Sequence, residues 1–534
     1  MEPIFKEYFV ETHDGTKIFT YVILPDASRT YPVVVQRSPY VDAEKQETAD
    51  FGEQKTATYA SWLESGYAIV VQHCRGTGRS EGDCIPYHYE RNDGLELLEW
   101  IRKQPFYGGE LYLLGGSYLA SVHFLHMDNN PSDVKGAVLT IQDCYLYNVM
   151  YRNGFLKVGL YASWYIGMYK NNSISNKSYT VDSFRTLPLV DFSRIVFGEQ
   201  AYDFDETLKH PDEKDPFWKT PLGGSDSYNS LNHTTFPVML TTGLYDIYTQ
   251  GVFEMWERMP AARRSNCAML VHPYDHGESF EESRTPVYFE NGELSKVAPQ
   301  YALNWFEHIR HGTPLQFARE NTVSHYVMFG NRWDHCDLLE EGSIRHELYL
   351  NNRELSEMPC LYDEITYIYN PYNPAQFSGG LCNNFGGMQI QDKPNSRYDI
   401  ISFESNPAEN EIYVKGKMFA TLRVKSDCED TCFYVRVSLV KDGIAYGLRD
   451  DITSLCYGGK DYTPGQEVEL SFIFGHHSFI LEKGAHWRVD VSSSAFPLFS
   501  IHTNQKGLQS SIPNAITAHN TIVCGKSSFT FFEE

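Results

Sequence analysis

No stretch of the chain reaches the roughly 20 consecutive apolar residues of a membrane-spanning helix, so no such span is expected. Its start, Met1-Glu2-Pro3-Ile4-Phe5-Lys6-Glu7, lacks the basic-then-apolar order of a secretory signal, and a cytoplasmic protein is expected. Positive charge is short: 45 Lys and Arg stand against 69 Asp and Glu, a net charge of −24. That deficit argues against nucleic acid and anionic membrane surfaces as partners. It would draw cationic molecules such as peptides with free N-termini, but its ordinary role is a soluble surface. Cysteine is sparse, 11 in 534 residues, odd in number and scattered, which fits reduced thiols rather than a disulfide framework. Cys428 and Cys432 stand four apart, yet no second pair or nearby histidine completes a zinc site. They read as strand residues, and no metal or cofactor is expected. Internal repeats and low-complexity segments are absent as well.

What is present is core-forming material, 42% hydrophobic and 14% aromatic, in a chain too long for one core. Two or three domains are expected. The most informative segment is Leu111-Tyr112-Leu113-Leu114-Gly115-Gly116-Ser117-Tyr118-Leu119-Ala120. An apolar strand runs into two glycines, a serine at the tip of a turn, and then helix-compatible residues. This is the strand–turn–helix setting of a nucleophile elbow. The usual pattern has Gly two residues after the serine, where this chain has Leu119. The competing reading is a glycine-rich turn with a bystander serine.

A serine attacks only when a histidine takes its proton and a carboxylate orients that histidine. In such folds the order is Ser, Asp, His, each after a later strand. Pro237–Gly243 reads as a strand followed by Leu244-Tyr245-Asp246, and Cys267–Val271 as the next, followed by His272-Pro273-Tyr274-Asp275-His276-Gly277. Tyr248–Met259 between them has helical spacing. Asp246 and His276 are therefore the expected partners of Ser117. Asp275 competes for the orienting role but neighbours His276 in sequence, where loop side chains usually diverge. His272 ends its strand and reads as structural.

Strand patterns surround these loops. Phe5–Thr12 and Lys17–Leu24 alternate about Asp14-Gly15, a hairpin signal. Val33–Gln36, Ala68–Gln72, Leu111–Leu114 and Ala137–Ile141 are apolar runs separated by helical or loop stretches. Such alternation implies a mostly parallel α/β sheet covered on both faces. Asn92–Arg102 has a helical pattern with Asn92 placed to cap it. From about Asp143 to Asn232 the rhythm breaks, beginning with an aromatic helical segment, Tyr145–Tyr169. Its Tyr151, Phe155, Tyr161, Trp164 and Tyr165 are candidates to line an acyl pocket, with Phe155, Trp164 and Tyr165 taken as the substrate-binding set. Packing of this insertion on the core is the competing role for each. After Gly312 short β runs dominate, from Tyr326–Phe329 to Trp487–Ser492, and read as a β-sandwich.

With these residues in view, the chain resembles the X-prolyl dipeptidyl aminopeptidase and cocaine-esterase family of α/β-hydrolases over nearly its whole length. Gly115-Gly116-Ser117-Tyr118-Leu119-Ala120 is similar to that family's Gly-x-Ser-Tyr-x-Gly, with Ala120 for the last Gly. Gly243-Leu244-Tyr245-Asp246 resembles its Gly-Trp-Tyr-Asp, and His272–Gly277 its Gly-Pro-Trp-x-His-Gly. Arg37-Ser38-Pro39-Tyr40 matches the segment whose tyrosine helps form the oxyanion hole. Arg75–Gly82 matches a characteristic loop, although an Asp usually stands where this chain has His73. Asn304–Gly312, Val327–Trp333, Lys483–Val489 and Ser492–Pro497 resemble the closing helix and the sandwich segments.

The resemblance implies an α/β-hydrolase domain over 1–142 and 236–314, a helical cap over 143–235 and a C-terminal jelly-roll β-sandwich over 315–534. It also implies catalytic Ser117, Asp246 and His276, with an oxyanion hole from the phenol of Tyr40 and the backbone N–H of Tyr118. The expected function is a serine acyl hydrolase, esterase-like or acylase-like, acting on a small ester, amide or short peptide. X-prolyl dipeptidyl peptidase activity is the alternative. Known X-prolyl peptidases tend to carry an extra N-terminal domain, whereas this sequence opens on the hydrolase domain, which favours the esterase-like reading. A non-catalytic binding relative is the reading of another class. A homo-oligomer is compatible with the sequence.

Overall fold

The computed structural model describes residues 2–27, 29–40, 50–168, 180–219, 230–283, 285–381 and 386–534. Strands β1 (Ile4–Glu11) and β2 (Lys17–Leu24) form the antiparallel hairpin about Asp14-Gly15. Next come β3 (Tyr31–Ser38), β4 (Ala68–His73), β5 (Tyr107–Gly116) and β6 (Val134–Thr140). A two-stranded ribbon, β7 (Tyr151–Arg152) and β8 (Phe155–Leu156), precedes β9 (Val238–Gly243) and β10 (Ala268–His272). The first sheet ends on β11 (Thr322–Val327) and β12 (Arg332–Cys336), in the order β1-β2-β4-β3-β5-β6-β9-β10-β11-β12. Pairing is parallel from β4 through β11 and antiparallel at both edges. Every residue of β4, β9 and β10 is buried, as a parallel sheet sandwiched between helices requires.

The helix Glu90–Arg102 buries Leu97, Leu98 and Ile101 against this sheet and starts two residues before Asn92. Asn92 therefore lies inside the helix, and the expected cap is not made. The parallel run also extends beyond the expected edge at 314, because β11 pairs with β10 and carries β12 with it. The aromatic segment expected as one helix from Tyr145 is broken into helix Leu146–Met150, the ribbon, and helix Val158–Met168; its last residue, Tyr169, lies outside the described residues. The break falls at Asn153-Gly154, both with positive φ (47° and 84°), the pair that a tight hairpin turn selects.

Beyond β12 an eleven-stranded all-β unit forms the C-terminal jelly-roll layer. Its longest strand, Ile412–Ser426, alternates throughout: Val414, Met418, Ala420, Leu422 and Val424 are buried, while Lys415, Lys417, Arg423 and Lys425 point outward. That period of two is the mark of a sheet with one face on a core. This unit grips the hydrolase loops. Met328 N–H donates to Ser478 O at 2.9 Å and Ile480 N–H to Met328 O at 2.9 Å. Glu257 meets both His476 at 2.7 Å and Lys417 at 3.0 Å. Among the described residues no helix is long and apolar enough to cross a membrane, and no metal-ligating cluster occurs.

Candidate active site

Strand β5 delivers Ser117 at a backbone position that few residues adopt, φ 55° and ψ −131°. Strain of this kind costs on the order of 1–3 kcal/mol and persists only where the surroundings hold it. Here Ser117 N–H donates to Thr140 O on β6 at 2.9 Å. The turn has no room for larger residues. A Cβ on Gly115 would meet Leu119 O at 2.1 Å, and one on Gly116 would meet Thr140 Oγ1 at 2.7 Å. Ala120, where the family has Gly, is fully buried and keeps its N–H on Ser117 O at 2.8 Å, so the added methyl fits.

The other two loops leave β9 and β10 at the same sheet edge. His276 Nε2 lies 2.9 Å from Ser117 Oγ, and its Nδ1 lies 2.6 Å from Asp246 Oδ2. Asp246 is completely buried, and its Oδ1 accepts the N–H of Tyr248 at 2.7 Å in a turn that fixes the carboxylate. Burial pushes His276 down, but the Asp246 carboxylate more than offsets it, and the imidazole sits above its ordinary pKa. Asp275, the competing orienter, accepts from Gly277 N–H at 3.0 Å, while Asp246 holds the ring. His272 is fully buried, pushed down to about 4 by burial, and accepts the N–H of Tyr274: a neutral structural group.

The tyrosines of the expected oxyanion hole play different parts. The Tyr40 hydroxyl accepts from the indole N–H of Trp164 at 3.0 Å and lines the same pocket as Ser117. The side chain of Tyr118 faces away into the core, where its hydroxyl donates to Glu90 Oε1 and accepts from Tyr87 N–H, both at 2.9 Å. Its backbone N–H opens helix Tyr118–Phe124, directly after Ser117. Glu90 also lies 2.6 Å from Arg37 Nη1, and Arg37 is fully buried. One buried network thus ties the loop carrying Tyr40 to the elbow carrying Tyr118. The nearby Arg75 finds its carboxylates in Asp93 at 2.7 Å and Asp14 at 2.8 Å. His73, at the position where the resemblance expects Asp, is pushed down to about 3 by burial and packs as a neutral ring tilted against Phe19, with centroids 4.7 Å apart.

These groups open on a pocket of about 330 Å³ whose further walls are Tyr87, Gln142, Val149, Leu160, Tyr161, Trp164 and Tyr248. Of the expected substrate-binding set, the pocket takes Trp164 but neither Phe155 nor Tyr165. Tyr165 is buried against Phe197 and Phe204, and Phe155 lines a separate cavity. Tyr87, Gln142 and Tyr248 were not anticipated. Tyr248 had the clearest signal, two residues past Asp246, and its ring meets His276 edge-on at 5.7 Å. Burial holds Tyr87, Tyr118, Tyr161 and Tyr248 well above the ordinary phenol value, so all remain protonated.

A mostly parallel sheet with a strained serine elbow after β5, and a carboxylate and a histidine on the loops after β9 and β10, defines a serine hydrolase of the α/β-hydrolase class. The family model of the X-Pro dipeptidyl-peptidase (S15 family) matches residues 14–278, and that of the X-Pro dipeptidyl-peptidase C-terminal non-catalytic domain matches residues 317–529. The chain belongs to this X-Pro dipeptidyl-peptidase and cocaine-esterase family. It is 23% identical to the cocaine esterase of Rhodococcus sp. (strain MB1 Bresler), over 93% of this chain and 92% of that one. Among solved structures, an α-amino acid ester hydrolase superposes with a TM-score of 0.81 at 18% identity, covering 100% of this chain and 97% of the other. An aminopeptidase from a marine sediment Thaumarchaeota archaeon gives 0.80, also at 18% identity, with coverage of 100% and 97%.

Proposed function

We propose that the protein is a carboxylic-ester hydrolase acting through Ser117, with His276 as base, Asp246 as its orienting carboxylate, and Tyr40 and the Tyr118 N–H as oxyanion donors. The carrying observation is the unbroken chain Asp246–His276–Ser117, at 2.6 and 2.9 Å, opening on an uncharged aromatic pocket. Ser117 Oγ bonds to the acyl carbon as its proton passes to His276 Nε2. The C–O bond to the alcohol then breaks, and the same proton leaves with the alcohol. Water then bonds to the acyl carbon as its proton passes to His276, the bond from that carbon to Ser117 Oγ breaks, and His276 returns the proton to Ser117 as the acid leaves.

The pocket chemistry favours an ester with an uncharged acyl group. Among the described residues its lining carries no carboxylate, and a dipeptidyl peptidase must hold its substrate's ammonium. The Gln142 side-chain oxygen is buried there without a hydrogen-bond partner and would receive a donor on the acyl group. In this reading the 143–235 insertion is the cap that shapes the pocket, and the 315–534 unit supports it. The ten described cysteines are free thiols, which supports a cytoplasmic setting.

Wild type and Ser117→Ala should be compared on p-nitrophenyl acetate, butyrate and benzoate and on Gly-Pro-p-nitroanilide. The expected result is ester turnover that falls at least about a thousandfold in the mutant, with the anilide untouched by either. Anilide cleavage faster than ester cleavage would reverse the reading to a peptidase. Turnover surviving in Ser117→Ala would remove the nucleophile.

A further inference from the structure

A second cavity, of about 350 Å³, lies between the cap and the C-terminal unit. It is as large as the catalytic pocket, and the two share no lining residue. Its apolar walls include Phe155, Phe184, Leu189, Leu208 and Ile501. Against them stands His502, 2% exposed, its ring centroid 5.8 Å from that of Phe155. His502 Nδ1 accepts the N–H of Asn504 at 3.1 Å, which places the ring proton on Nε2. That Nε2 is buried and has no hydrogen-bond partner. Asp430 Oδ2 is 3.3 Å away but out of line for a bond, while Asp430 Oδ1 accepts from Cys456 N–H at 3.1 Å. Lys506 and Asp461, exposed and paired at 2.7 Å, stand at the mouth.

A buried donor left unbonded costs about 1–3 kcal/mol, and a ligand that satisfies it recovers that cost. Donor and acceptor stand side by side here, and one hydroxyl answers both: it accepts from His502 Nε2–H and donates to Asp430. The apolar walls take the remainder of such a molecule, and the volume lies at the lower end of small-molecule sites.

We propose that this cavity is a second ligand site, for a neutral molecule with an aryl or alkyl body and one hydroxyl. The geometry also says what occupancy would touch. Phe155 and Leu156 in its wall lie immediately before the helix Val158–Met168, which carries Leu160, Tyr161 and Trp164 into the catalytic pocket. The proposal does not depend on which bond the catalytic site cleaves.

Crystals soaked in 3-(4-bromophenyl)propan-1-ol locate the molecule by bromine anomalous scattering. Calorimetry in solution then compares this alcohol with 1-bromo-4-propylbenzene, which lacks the hydroxyl. The expected result is a bromine peak among Phe155, Leu189 and Leu208 and at least about tenfold weaker binding of the hydrocarbon. His502→Phe should lose the same factor. Leu508→Trp, a half-buried wall position where the new ring fills the cavity, should abolish binding and keeps the test open if His502→Phe does not fold. Bromine only in the catalytic pocket, or nowhere, would overturn the proposal. So would equal affinity for the alcohol and the hydrocarbon.

Discussion

An indole N–H has a proton to give and no lone pair to offer, so in the 3.0 Å contact between Trp164 and Tyr40 the phenol oxygen must be the acceptor. The Tyr40 proton is then left for another oxygen, which in the proposed mechanism is the oxyanion formed once the substrate is attacked. Tyr40→Phe should cost about 3 kcal/mol of transition-state stabilisation, a hundredfold or more in kcat, with KM nearly constant. Trp164→Phe keeps a ring beside Tyr118 but frees the phenol to rotate, and about tenfold in kcat is expected. Steady-state kinetics on one ester checks both, and an unchanged kcat in Tyr40→Phe would remove its role. With His276 as the proposed base, its neutral form is the active one, and the Asp246 carboxylate holds its pKa above the ordinary value of about 6.5. As pH falls through that raised pKa the base is lost, so kcat/KM should halve above about pH 6.5 and drop tenfold per unit below it. A profile flat to about pH 5.5 would exclude a histidine base.

At the scale of elements, the oxyanion loop, the helix Glu90–Arg102 and the elbow meet at one carboxylate. Glu90 pairs with Arg37 and accepts from Tyr118, all three buried. Removing one partner of a buried pair leaves the other charge uncompensated, so Glu90→Ala should lose about 3–5 kcal/mol of stability, with Glu90→Gln in between. Urea denaturation of the two variants measures this; equal stability of Glu90→Ala and wild type would mean the network holds nothing. Much of this level was legible in the sequence. The elbow and the two loops bearing Asp246 and His276 are short-range signals, each an apolar strand running into a turn. What escaped depended on distance or on competing local chemistry. Asn153-Gly154 is a hairpin signal hidden in a run of helix-forming aromatics, and the turn won. Thr322–Val327 looks like any sandwich strand, because a strand's pattern does not say which sheet it joins. Arg75 finds Asp93 from 18 residues away, so the missing Asp at position 73 left no gap. Phe155 and Tyr165 share a helical neighbourhood with Trp164, but the ribbon and the helix turn direct them elsewhere.

At the scale of the molecule, the C-terminal unit works by holding the pieces that shape the site. Tyr245, next to Asp246, donates to Gly447 O at 3.1 Å, and Arg449 lies over its ring at 5.0 Å. The cap is held by Asp451, 2% exposed. One Asp451 oxygen takes Arg152 Nε at 2.7 Å and Asn153 Nδ2 at 3.1 Å; the other takes Ile473 N–H at 3.0 Å. This carboxylate therefore docks the ribbon that leads into the helix bearing Leu160, Tyr161 and Trp164. It touches no member of the proton-transfer chain. Asp451→Ala should leave Arg152 Nε without its acceptor and the cap held only by Arg152 Nη2 on Ile473 O and Asn153 Nδ2 on Ile452 O, and cost about 2–4 kcal/mol of stability. The kinetic consequence follows from what the cap supplies. Loosened pocket walls weaken ground-state and transition-state binding alike, so KM should rise several-fold while kcat falls by no more than about threefold. Asp451→Asn keeps one acceptor for Arg152 and should recover part of both effects. Thermal unfolding and full saturation curves on the three proteins separate the possibilities. A kcat loss above about a hundredfold at constant KM would mean that the sandwich governs the geometry of Ser117 itself rather than the pocket above it.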